Sequence, residues 1–169
     1  MNNNMNNMNM LLKAFKMNIT SHKQEIKTAQ KAYLIAAVAE ETIKEISEDI
    51  QKKILSENVY LQNRRGVTER ITDPKHTFLM NDEIFINDFL EKCYIEYQKA
   101  GIADIRGKEY FPEAEARDAR INAENALIQI AVDILPECDE KEVLKSVVNH
   151  WKYRDEILQL ILYLDCDVI

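Results

Sequence analysis

Nine ionisable side chains crowd between residues 104 and 120: Asp104, Arg106, Lys108, Glu109, Glu113, Glu115, Arg117, Asp118 and Arg120. Glu115 and Asp118 stand three apart, so on a helix their carboxylates project together and supply the oxygens that a divalent cation takes. Glu45 and Glu48 repeat that spacing. Two such pairs on neighbouring helices would make a small metal-dependent hydrolase. From Glu48 to Glu115, however, the pairs lie 67 residues apart, far beyond a short connection between neighbouring helices. The simpler account is a solvated set of ion pairs with Arg117 and Arg120.

A second cluster is basic. Arg64, Arg65, Arg70, Lys75 and His76 fall close together, with Tyr60 and Phe78 nearby. Arginines beside aromatics on an exposed hairpin grip phosphate or stack on a base, which makes Arg64, Arg65, Lys75 and His76 the candidate nucleic-acid or phosphate contacts. So few cations give a weak, salt-sensitive grip. Residues 1–80 hold 12 Lys/Arg and 9 Asp/Glu, and residues 81–169 hold 10 and 20, so a net charge of +3 is followed by −10. An acidic second half disfavours broad binding to a phosphate backbone and suits partners with basic surfaces.

Nucleophilic chemistry has little to build on. Cys93, Cys138 and Cys166 are odd in number, without CxxC spacing, and read as free thiols of a reducing compartment. His22, His76 and His150 are scattered singly, so no zinc set is expected. Cys93 falls on an apolar face with Ile86, Phe89 and Tyr97, and Cys166 lies between Asp165 and Asp167, whose charges disfavour a thiolate. The sequence has no GxSxG, P-loop, GxGxxG or HExxH. No cofactor is expected, and the balance leans away from an enzyme.

The elements that would position these residues are helical. With 3 Gly and 3 Pro in 169 residues, there are too few turn formers for a sandwich or barrel. The expected fold is mostly α, a bundle of about four to five helices led by one long N-terminal helix, with a candidate small β-hairpin near 59–71. The Asn/Met tract of residues 1–10 reads as low-complexity and disordered. Leu11, Leu12, Phe15 and Ile19 then form a short apolar face. Residues 1–19 are thus a flexible or docking tail, with Leu11, Leu12 and Phe15 as candidate partner contacts, and residues 20–169 are one helical domain.

Thr20 and Ser21, with Gln24 in capping-box position, suit a helix start, and no Gly or Pro interrupts the run to Asn58. Ala32, Ala36, Ala39, Ile43, Ile46, Ile50 and Ile54 recur at steps of four and three. The stretch from Ala32 to Ala39 is apolar all round and predicts cover on more than one side. At 1.5 Å per residue such a helix runs for about 54 Å, longer than a compact domain of this size is wide. Its end must break, project or pack against something else.

Asn81 suits the cap of the next helix, whose buried face is Ile86, Phe89, Leu90, Cys93, Tyr94 and Tyr97, with Gly101 as its stop. Pro112 introduces a third helix carrying Ala116, Ala119, Ala123 and Ala126, a small-residue seam expected to pack on Ala32, Ala36 and Ala39. Pro136 ends it. Asp139 with Glu142 suits the cap of a last stretch bearing Val143, Val147, Trp151, Leu158 and Ile161, with a break near Asn149–His150.

These features together predict a non-catalytic interaction protein, a subunit or adaptor of a larger assembly that binds a protein partner or itself. The metal-dependent hydrolase and the nucleic-acid module are the alternatives. No segment has the roughly 18 to 20 apolar residues of a membrane span, and no secretory signal is present, so a cytoplasmic protein is expected. The abundance of Asn, Ile, Lys and Glu matches an AT-rich genome such as that of a phage or mobile element, which would extend the expected location to a virion.

Overall fold

The computed structural model describes residues 2–58, 60–62, 68–70 and 83–167. Helices dominate: α1 spans Asn2–Asn58, α2 Glu83–Ala100, α3 Ala114–Asp133, α4 Lys141–Asn149 and α5 Arg154–Leu162. Strands β1 (Tyr60–Gln62) and β2 (Thr68–Arg70) pair antiparallel, Tyr60 opposite Arg70. At three residues each they form no layer of their own, and the fold is all-helical. The segment that joins the two strands and the expected Asn81 cap fall outside the described residues.

Helix α1 starts at Asn2 rather than at the Thr20–Ser21 caps. A capping sequence marks a start only where the preceding residues have nothing to gain from helix, and here they do. Leu11, Ala14, Phe15 and Ile19 are buried, and Met8 and Leu12 pack against the same core. With no Gly or Pro before Asn58 the helix has no reason to stop. The Asn/Met tract is accordingly helical, and Asn4 Oδ1 accepts a hydrogen bond of 3.1 Å from the Tyr153 hydroxyl.

The chain forms two compact units, one of residues 1–36 and 119–169, the other of residues 37–118. In the first, the α1 face of Leu11, Phe15, Ile19 and Ile26 packs with Leu127, Ile130, Ala131 and Ile134 of the α3 region, Leu144 and Val148 of α4, and Ile157 and Ile161 of α5. Side-chain amides complete it. Gln30 donates to the carbonyls of Ile161 (2.9 Å) and Leu164 (3.0 Å), satisfying the open end of α5, and Asn18 donates to the Ile134 carbonyl (3.1 Å) beyond α3. Arg154 Nε donates to Glu124 at 2.8 Å.

The chain breaks near Asn149–His150 as expected. His150 is extended (φ −80°, ψ 122°), its Nδ1 accepts from the Lys152 backbone N–H, and a 3₁₀ turn, Trp151–Tyr153, leads into α5. Two expectations fail here. Trp151 and Val143 are 81% and 61% exposed rather than buried: the break turns Trp151 off the α4 face, and Val143 lies on the side of α4 away from the buried Leu144 and Val148. Glu140, not Asp139, stands at the α4 N-cap, without a side-chain hydrogen bond.

In the second unit, Ile54 and Leu55 of α1 pack on Phe89, Cys93 and Tyr97 of α2. Gly101 ends α2 as expected. At φ +73° it lets its own N–H reach the Gln98 carbonyl and the Ile102 N–H reach the Tyr97 carbonyl, a Schellman closure. Of the two alanine seams, Ala36, Ala116 and Ala123 are half-buried and Ala32, Ala39, Ala119 and Ala126 exposed, so neither seam forms a core. A methyl group contributes little apolar area, and the larger side chains on other faces of the helices hold the cores instead.

Phe15 has no exposed surface. Phe15→Ala is expected to destabilise the first unit by about 3–5 kcal/mol, while Met17→Ala, at an exposed position, stays within about 0.5 kcal/mol of wild type. Urea titrations followed by circular dichroism check both values.

Candidate functional site

Within the first unit, α1 and α5 leave a groove of about 970 Å³ between them. Met8, Leu12, Lys16, Ile19 and Thr20 contribute from α1, at spacings that place them along one helical edge beside the buried stripe. Glu156, Gln159 and Leu160 contribute from α5, followed by Tyr163, Leu164 and Asp165. Its floor is apolar, and its polar groups are one lysine, two carboxylates, an amide and two hydroxyls. No cysteine, serine or histidine lines it. Such a groove has the concave, mainly apolar lining with a few polar groups at its edges that suits an apolar surface.

The C-terminal edge of the groove is held by charge. Asp165 Oδ1 accepts from the Asp167 N–H at 2.9 Å, and the Asp167 carboxylate takes Lys23 Nζ at 2.7 Å and Lys27 Nζ at 2.7 Å. These hydrogen-bonded lysines hold the Asp167 carboxyl down at about 2.

Leu11 and Phe15 are buried in the chain's own core, whereas Leu12 lines the groove. Glu115 and Asp118 are both exposed on the first turns of α3. The arginine between them turns elsewhere: Arg117 lies 3.6 Å from Glu40 and 3.9 Å from Glu113. Arg120 pairs with Glu124 at 3.0 Å. Among the described residues no group of three His, Cys, Asp or Glu is placed to share a metal ion. Arg64, Arg65, Lys75 and His76 lie outside the described residues. The groove itself was hidden in the sequence by the Asn/Met tract, in which Met8 looks like one more low-complexity residue.

The second unit holds its polar groups in tight local sets. The buried Asp104 accepts from the Arg106 backbone N–H (2.9 Å), Nε (2.9 Å) and Nη2 (2.7 Å), and the Arg106 guanidinium lies over the Tyr110 ring at 4.1 Å. Those bonds bring the Asp104 carboxyl down to about 2. Gln51 Nε2 donates to Ser47 Oγ and to the Tyr97 hydroxyl, both at 3.1 Å. Burial pushes the Cys93 thiol and the Tyr97 phenol each up to about 12. Ser47, Cys93 and Tyr97 belong to the buried core, whereas Arg106 and Tyr110 reach the surface.

A third feature lies on α1. Leu34, Ile35 and Val38 are 49%, 60% and 65% exposed. The cover on more than one side that the all-round apolar stretch predicts is not found among the described residues: Tyr33 packs against the first core, and from Lys27 to Ile46 no residue of α1 is buried.

No protein-family model, no curated protein and no solved structure matches the chain.

Two measurements probe these assignments. Cys138 is exposed, whereas Cys93 and Cys166 are buried, with thiols raised above their ordinary range by that burial. Brief alkylation of the native protein near neutral pH is expected to modify Cys138 and spare the other two, with all three modified in denaturant, as peptide mass spectrometry would read. The Asp104 carboxyl, at about 2, lies below its unfolded value of about 3.9. The unfolded chain therefore takes up the proton first, and the stabilisation is complete above about pH 4 and lost as pH falls towards 2. Asp104→Asn is expected to lower the melting temperature near neutral pH and to flatten its dependence between about pH 4 and pH 2.

Proposed function

We propose that the chain is a non-catalytic interaction protein, a subunit or adaptor of a larger assembly. The observation that carries this reading is the bare apolar run of α1, Leu34, Ile35 and Val38, in a helix with no buried residue between Lys27 and Ile46. Contiguous exposed aliphatic side chains at the middle of a helix are the pattern of a face that a partner covers. Covering them yields on the order of 1 kcal/mol each, given how much of each is already shielded. The exposed Trp151, beside His150 at a ring separation of 5.9 Å, adds the residue type most enriched at binding hot spots. An excess of acid, a formal net charge of −7, favours a partner with a basic surface. A virion or accessory component of a phage or mobile element fits the composition.

The test is a pull-down with the tagged chain, comparing wild type with Leu34→Asp/Val38→Asp. Both positions are exposed, so circular dichroism of the variant is expected to match wild type. The expected result is a stoichiometric second polypeptide, another protein or an untagged copy of the chain, held by wild type and lost at least tenfold in the variant. Retention of that polypeptide by the variant would move the contact elsewhere. An Mn²⁺-dependent rise in melting temperature abolished by Asp118→Asn would replace this reading with the hydrolase. Salt-sensitive nucleic acid lost in Arg64→Ala/Arg65→Ala would replace it with the nucleic-acid module.

A further inference from the structure

The residues flanking the bare run of α1 carry an ordered pattern of charge. Lys27, Lys31, Leu34, Val38, Glu41 and Glu45 follow one another at steps of four, three, four, three and four. That is the spacing of one continuous seam along a helix. None of the six is buried. The order along the seam is two cations, two aliphatics, two anions. It reads as its own complement when reversed, since the number pairs 27 and 45, 31 and 41, and 34 and 38 share one midpoint at residue 36.

We infer that this seam of α1 is covered by a second copy of the chain, lying antiparallel across a two-fold axis level with Ala36. In that register Leu34 of each copy faces Val38 of the other, Lys31 faces Glu41 and Lys27 faces Glu45, each twice by symmetry. A parallel pair would set Lys31 against Lys31 and Glu41 against Glu41, so charge selects the antiparallel arrangement.

Two further observations favour a second copy. Lys27 and Lys31, and likewise Glu41 and Glu45, are like charges at i,i+4, a spacing that weakens an isolated helix. An opposing seam of opposite sign relieves both repulsions at once. Lys31, Glu41 and Glu45 also have no ion pair among the described residues, so the inner pair of the register and the outer carboxylate are free to make it. Lys27 already holds Asp167, with side-chain exposure left for a second partner, and the outer pair is accordingly the weaker one. The inference rests on the interaction reading above and names its partner.

The test is sedimentation of the full chain across the micromolar range, for wild type, Lys31→Glu, Glu41→Lys and an equimolar mixture of the two variants. Wild type is expected to dimerise. Each single variant sets like charges face to face at two symmetry-related places and is expected to weaken dimerisation by about tenfold or more. The mixture restores opposite charges at both places, so a heterodimer of near wild-type strength is expected. Both substituted positions are exposed, and matching circular dichroism spectra establish that the variants keep their helices. A monomeric wild type overturns the inference, as do single variants that dimerise like wild type or a mixture that stays monomeric. A monomeric wild type that still binds another protein, and loses it on Leu34→Asp/Val38→Asp, overturns the second copy as occupant while the interaction reading stands.

Discussion

A helix buries only as much of itself as other elements reach, and α1 is the element on which this constraint falls hardest. Its 57 residues supply one apolar stripe, Leu11, Phe15, Ile19 and Ile26, to the first core, and Ile54 and Leu55 to the second. Between Ile26 and Ser47 no residue is buried, and the helix rests largely on its own backbone hydrogen bonds and on residues of high helix propensity, Ala, Leu, Lys and Glu among them. That middle section is packed along one side only, through Ala29 and Tyr33, which leaves Leu34, Ile35 and Val38 uncovered on the other. Its exposure follows from continuity: no Gly or Pro offers the chain a place to turn back over itself before Asn58.

The polar chemistry of both units is spent on closing ends and loops. Gln30 satisfies carbonyls at the end of α5, Asn18 the carbonyl of Ile134, and Lys23 with Lys27 the C-terminal Asp167. Asp104 binds Arg106 from three donors two residues away, and Ser47, Gln51 and Tyr97 satisfy one another. The Asp104 set is short-range, Gln30 and Asn18 satisfy helix ends, and the Ser47–Gln51–Tyr97 set ties α1 to α2. The apolar groove of the first unit and the bare run of α1 have in common apolar area beside charged side chains.

Where the sequence was legible, local physics decided the outcome. Gly101 stops α2 because only a residue without a β-carbon adopts its positive φ at little cost. The α2 face of Phe89, Cys93 and Tyr97 is buried because a period of 3.6 places those side chains together, and the break at His150 falls where the apolar pattern loses phase. Where it was not legible, a neighbour decided. The capping box at Thr20–Ser21 is a sound local signal, overruled because Leu11 and Phe15 gain a core by extending the helix upstream. Trp151 looks like a core residue by type and is exposed because a 3₁₀ turn points it away.

The sequence by itself determined that the chain is helical, where α2 and α3 end, and that α1 carries more apolar surface than one small core absorbs. Those properties depend on backbone sterics and side-chain periodicity, which act within a few residues. Only the tertiary structure decided which apolar residues find cover. Leu11 and Leu34 are the same residue type in the same helix, yet one is fully buried and the other half exposed, because α3 and α5 reach the first and nothing in the described chain reaches the second.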